Sequence, residues 1–296
     1  MRSRLQAVHV VERLEGMFPG AVRTAAALKA VLRATRSFDY PAFTEPKILL
    51  DASGAEPVIE LDGDCLIAWV AHMSHSSRAR MELLEDAVLR SLAHSEVIAP
   101  ATLARAHIEA AAWAAYAYEE LLKVAETHSW DRLKRLLPKM LYGTAIAREA
   151  KRLPPEHRDP FWIEPTSVMN AIDALDHFFG VTTGLPGGTL RVLYAWLSDY
   201  AHPAIRGVRH LLDPTVETLE GWNITYSCDE HATAAEADFI LKSLLTSIRF
   251  GHGAALLMRL GTLEEDGTEI TYLKPHESDE LEIKRHIIFG EVPDDA

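Results

Sequence analysis

The sequence predicts a mainly α protein, an irregular helical bundle carrying a small β element. Three observations point there. Most of the 296 residues follow an apolar spacing of three and four. Prolines and glycines cluster between the periodic stretches, where helices must break. Segments with strand-forming character are short and few, near 47–61 and 222–228.

Two short helices, 1–17 and 21–36, are expected on either side of the break at Pro19-Gly20. Residues 38–63 contain Pro41, Pro46, Gly54, Pro57 and Gly63, which exclude a helix. Within them, 47–50 and 58–61 read as two strands joined through Ser53-Gly54. A long helix follows over about 64–93. Its apolar stripe runs Leu66, Val70, Met73, Met81, Leu84 and Val88, with Ser77 as the polar interruption.

Pro100 suits the first turn of a helix over about 100–127. Its buried face reads Leu103, His107, Ala110, Ala114, Leu121 and Ala125, and so many alanines require a neighbouring helix to approach closely. Another helix is expected over 130–150, kinked at Pro138 or broken near Gly143, before a proline-rich connection over 153–165. Thr166 or Ser167 caps the next helix, which is expected to end at Gly180. A helix from Thr189 to His202 stops at Pro203. A strand over 222–228 could pair with the early hairpin, and a long helix spans about 232–260.

Hydrophobic residues make up 48% and charged residues 25%, the balance of a chain able to bury a sizeable core. The organisation read from this is a helical domain over 1–262 followed by an acidic C-terminal tail, 263–296. Residues 261–296 hold 11 Asp and Glu against 3 Lys and Arg, and the tail is expected to add little to the core. The net charge of −13 disfavours broad binding to phosphate backbones.

The two cysteines, Cys65 and Cys228, form no disulfide framework and no metal pattern, as in a reducing cytoplasm. The first residues lack the apolar core of a secretory signal. The most apolar stretch, 110–118, is too short to span a bilayer. A soluble, cytoplasmic protein with no membrane association is therefore expected. High arginine and alanine content hints at a bacterial source.

Two polar groupings stand out. Arg191, Tyr194, Ser198 and His202 recur at helical spacing and share one face of their helix. Arg105 and Glu109 lie one turn apart, in a stripe with Trp113 and Tyr116. Each reads two ways: as a ligand or catalytic site, or as polar anchors tying helices together. Arg105, Glu109, Ser198 and His202 are the candidate catalytic residues, expected to meet between two packed helices.

No metal site and no cofactor is expected. His72 and His75, Asp199 and His202, and the Asp173, Asp176, His177 cluster lack the Glu-x-x-His pairs of bundle metal sites. The run Gly184-Leu-Pro-Gly-Gly-Thr189 lacks the lysine and preceding strand of a phosphate loop, and reads as a turn with a Thr189 cap.

The Arg105-x-x-x-Glu109 turn, with Tyr194, Leu197, Ser198, His202 and Pro203 on the later helix, resembles a group of uncharacterised bacterial all-helical proteins discussed beside the HEPN superfamily of nucleases and toxins. The resemblance covers mainly residues 100–210. It implies an all-helical fold and a mobile-element or defence setting. For a HEPN-like nuclease it would imply action on RNA at a site around His202.

The catalytic HEPN signature is an arginine, then four to six intervening residues, then a histidine, and His202 has no arginine at that spacing. The matches elsewhere are Arg2 and Arg4 with His9, and Arg152 with His157, no more than chance supplies. Two function classes stay open. One is a helical protein acting through protein–protein contacts, with a protein partner or a second copy of itself. The other is a HEPN-like RNA-directed nuclease or toxin.

Overall fold

A computed structural model describes residues 2–37, 63–127, 135–136, 139–140, 147–148, 150–164, 166–202, 207–208, 216–218, 221–223, 231–266, 269–273 and 276–289. The fold is mainly α. The helices are α1 (Arg2–Met17), α2 (Val22–Ser37), α3 (Gly63–Ala93), α4 (Ile98–Thr127), α5 (Pro160–Ile163), α6 (Val168–Thr183), α7 (Thr189–Ala201), α8 (Ala234–Leu260) and α9 (Glu277–Ile283). Among the described residues, no helix is long and apolar enough to cross a membrane.

Helix α4 is the hub, packed by α8, α3, α6 and α7. Its alanines explain how so many neighbours fit. Ala101, Ala104, Ala111, Ala112, Ala114 and Ala115 are all buried. A Cβ placed on Gly251 of α8 would sit 2.5 Å from Ala111 Cβ and 2.7 Å from Met81 Sδ, so that glycine is required for the approach. The close packing expected from the alanine face is therefore present, with α8 as the neighbour. Leu14, Leu28, Leu32, Leu89, Ile108 and Ile172 are among the largest fully buried side chains of the core.

Local chemistry sets the helix ends. Pro19 and Gly20 separate α1 from α2 through one 3₁₀ turn, Pro19–Ala21. Ser167 caps α6 by accepting from the Met169 amide. That helix runs past Gly180, where an end was expected, and closes on the left-handed Gly184, φ +68°. Thr233 and Glu236 form a reciprocal capping box on α8.

The α7 N-terminus departs from expectation. Thr189 does not cap it. The Asp176 carboxylate on α6 accepts from the Leu190 and Arg191 amides at 2.8 and 2.9 Å. An anion does sit on the helix dipole, and it belongs to the protein.

Helix α3 also corrects the expected pattern. Among the described residues, its buried polar side chains are Ser74, Arg78 and Glu85. Ser74 Oγ donates to the Ala255 carbonyl of α8 at 2.7 Å. Arg78 Nη2 donates to the Thr35 carbonyl at 2.8 Å, in the last turn of α2 where a cation is favoured.

The expected β element joining 47–61 to 222–228 is not seen among the described residues. Residues 47–61 and 224–228 lie outside the described residues. Gly221–Asn223 pairs instead with Val216–Thr218, in a hairpin of sequence neighbours. A second hairpin joins Thr262–Asp266 to Glu269–Leu273. Most of the helix expected over 130–150, together with Pro203 and Cys228, also lies outside the described residues.

The C-terminal segment does not behave as a peripheral acidic tail. Ile283, Ile287 and Ile288 are buried in the main core, and Ile288 lies against Gly253 of α8. Glu277 and Glu282 of α9 are exposed, while Ile283 at its end docks with Ile287 and Ile288 just beyond it. High charge density therefore coexists with a packed face.

Candidate functional site

Helix α4 carries polar residues on opposite sides. At about 100° per residue, Arg105 and Glu109 lie roughly opposite His107. The first two face α7. The third faces α3 and α8.

On the α7 side, Arg105, Glu109 and Tyr194 form one network. Arg105 Nη2 donates to Tyr194 Oη at 2.6 Å, and Tyr194 Oη donates to Glu109 Oε1 at 2.9 Å. Arg105 and Glu109 also pair directly at 3.1 Å, with side chains 24% and 26% exposed. The guanidinium carbon lies 4.8 Å from the Tyr194 ring centroid, a cation–π distance. The Arg105 Nε–H is buried without an acceptor among the described residues.

Burial, aided by the Glu109 hydrogen bond, pushes the Tyr194 phenol up from its ordinary value. It therefore stays a neutral donor near neutral pH. The guanidinium has no lone pair with which to take a proton.

The other two candidates stand apart. Ser198 Oγ donates to the Tyr194 carbonyl one turn earlier, at 2.8 Å. His202 lies just past the end of α7, in extended backbone, and its amide donates to the Ser198 carbonyl. Its side chain is exposed, and no hydrogen bond among the described residues joins it to Arg105 or Glu109. Eight residues of helix place the His202 and Tyr194 backbones about 12 Å apart. The Tyr194 side chain leans back toward the helix N-terminus, away from His202.

Two of the three α6 side chains weighed as metal ligands are engaged. Asp176 caps α7, and Asp173 pairs with Arg191 at 3.3 Å.

On the opposite side of α4 lies a cluster that sequence reasoning missed. Glu85 of α3, His107 of α4 and His252 of α8 are fully buried. Both imidazole Nε2 atoms converge on one oxygen, Glu85 Oε1, from 3.3 Å for His107 and 2.7 Å for His252. His107 Nδ1 lies 2.7 Å from Ser247 Oγ. That hydroxyl in turn donates to the Leu244 carbonyl at 3.0 Å. His252 Nδ1 is buried with no partner among the described residues.

Burial alone would push the Glu85 carboxyl up. The charge of His252 and hydrogen bonds from both imidazoles outweigh it and hold the group well below the usual carboxylate range. Burial pushes His107 down, against the pull of Glu85. Among the described residues, this is the group of three whose ligand atoms lie close enough to share a metal ion.

Two signals for it were present in the sequence. His107 sits in the middle of the alanine face of α4, and Gly251-His252-Gly253 interrupts an otherwise helix-forming run. Comparison with protein-family models, with curated proteins and with solved structures found no match to this chain.

Proposed function

We propose that the protein is a non-catalytic helical module that acts through protein–protein contacts. The observation that carries this reading is the self-contained charge of the Arg105, Tyr194 and Glu109 network. Glu109 neutralises Arg105, and the tyrosine bridges both. The exposed His202 is not bonded to them. A site for cleaving RNA would instead set a histidine beside an unneutralised cation facing the phosphate.

In this reading the network seats α7 on α4, leaving the opposite face of α7 for a partner. Val192 and Trp196, one turn apart there, are 57% and 43% exposed. The Trp196 ring lies 5.3 Å from Phe239 of α8, so the apolar surface continues across two helices. Exposed aromatic groups of this kind anchor protein interfaces.

RNA cleavage and thermal melting, measured together on wild type and His202→Ala, test the reading. The expected result is no cleavage by the wild type and a small change in melting for the variant. Cleavage that vanishes in a normally stable His202→Ala would overturn it in favour of a HEPN-like nuclease. In parallel, Val192→Ala with Trp196→Ala should reduce partner retention by the tagged protein without lowering its melting temperature.

A further inference from the structure

We propose that Glu85, His107 and His252 form a buried site for a late first-row divalent metal ion of the zinc type, tying α3, α4 and α8 together.

The first support is the donor set. Two imidazole nitrogens and one carboxylate oxygen, from three different helices, present ligand atoms within 4.8 Å of one another. Two histidines and a glutamate are a donor set used for zinc, with bonds of about 2.0–2.2 Å. Imidazole ligands disfavour calcium and magnesium, which take oxygen donors.

The second support is the aim of the rings. Both Nε2 atoms point at one carboxylate oxygen, Glu85 Oε1, from 3.3 Å for His107 and 2.7 Å for His252. His107 Nδ1 lies 2.7 Å from Ser247 Oγ. A ligating histidine has this same arrangement, with Nε2 toward the metal and Nδ1 held by a neighbouring oxygen.

The competing occupant is a proton, which would make the trio a hydrogen-bonded imidazolium and carboxylate. Metal content distinguishes the two. The protein is expressed with zinc in the medium, desalted, and measured by plasma mass spectrometry. About one zinc per chain is expected, because the ion is enclosed as the bundle forms. Refolding from denaturant with Co²⁺ in place of zinc should give the visible absorption of protein-bound cobalt.

His252→Ala should lose both signals. A ligand variant can misfold, so Ser247→Ala supplies a second arm. It should stay folded and lower zinc affinity roughly 10- to 100-fold, the usual effect of losing the partner that orients a ligating histidine. Wild-type protein that carries no zinc, gives no cobalt spectrum and melts at the same temperature after refolding with or without zinc would overturn the proposal and leave the proton as the occupant. Zinc binding unchanged in His252→Ala would overturn it as well, by moving the metal elsewhere. Neither result bears on the protein-contact reading of α7.

Discussion

Replacing Tyr194 by phenylalanine isolates what the α4–α7 network contributes to the fold. The change removes one oxygen and keeps the ring, so core packing and the 4.8 Å stacking of Arg105 are retained. Two hydrogen bonds to charged partners are lost, at 2.6 Å from Arg105 and 2.9 Å to Glu109. Bonds of that kind contribute about 1.5–3 kcal/mol each when their partners are left unsatisfied. Here the partners are not abandoned. Arg105 and Glu109 still pair at 3.1 Å, and each is about a quarter exposed, so water and the direct ion pair recover much of the loss. The net expectation is a loss of about 1–2 kcal/mol. Urea titration followed by circular dichroism measures it, with an unchanged denaturant slope showing that only stability has moved. Glu109→Gln completes a double-mutant cycle, in which the two changes should fall short of additive because they share one oxygen. A loss below about 0.5 kcal/mol, the scale of an unremarkable surface change, would refute the idea that this network seats α7.

Three further outcomes follow from the packing. Gly251→Ala places a Cβ 2.5 Å from Ala111 Cβ and 2.9 Å from its Cα. It should destabilise by about 1–3 kcal/mol in a urea titration despite alanine's better helix propensity. Ile287→Ala should cost about 2–5 kcal/mol as a buried core deletion, whereas Phe289→Ala, exposed by 47%, should stay within about 0.5 kcal/mol. Equal small effects would restore the peripheral tail. Tyr118 is buried in the core, and its phenol is pushed up to about 12, by burial first and by Glu280 second. The unfolded chain ionises near 10, so the folded state holds the proton longer, and this stability is complete below pH 10 and lost as pH rises toward 12. Two units correspond to roughly 3 kcal/mol. Melting curves between pH 9 and 12 should therefore fall less steeply for Tyr118→Phe than for the wild type.

The helices were legible because periodicity and punctuation are local. Pro19-Gly20, Ser167 and the alanine face of α4 each act on residues within a turn or two. What escaped depends on partners brought together only by tertiary packing. Glu85 meets His107 across 22 positions and His252 across 167. No spacing rule spans three helices. Asp176 reaches the start of α7 from 14 positions earlier, whereas the local pattern points to Thr189 as the cap. The tail misled because its acidic residues dominate the average, whereas Ile283, Ile287 and Ile288 fall on one side and bury themselves. The candidate site was half legible for a similar reason. The phase of Tyr194 with Ser198 held within α7, but the helix stops at Ala201, and the extended backbone at His202 leaves that face.

The two polar groups on α4 answer different physical demands, and exposure separates them. Arg105 and Glu109 remain partly in water, so their pairing costs little to form and little to break. That suits a contact that orients a surface helix. Glu85, His107 and His252 are cut off from solvent altogether. Removing one member of such a group strands the others, and a buried charge without its partner typically costs about 3–5 kcal/mol. A bundle built only for packing would place aliphatic side chains at those three positions, where they meet the same steric need at lower risk. Gly251 and Gly253, on either side of His252, lower the helix propensity of α8 further. A bound ion at that position would fix the spacing of α3, α4 and α8, and through α4 the platform on which α7 rests.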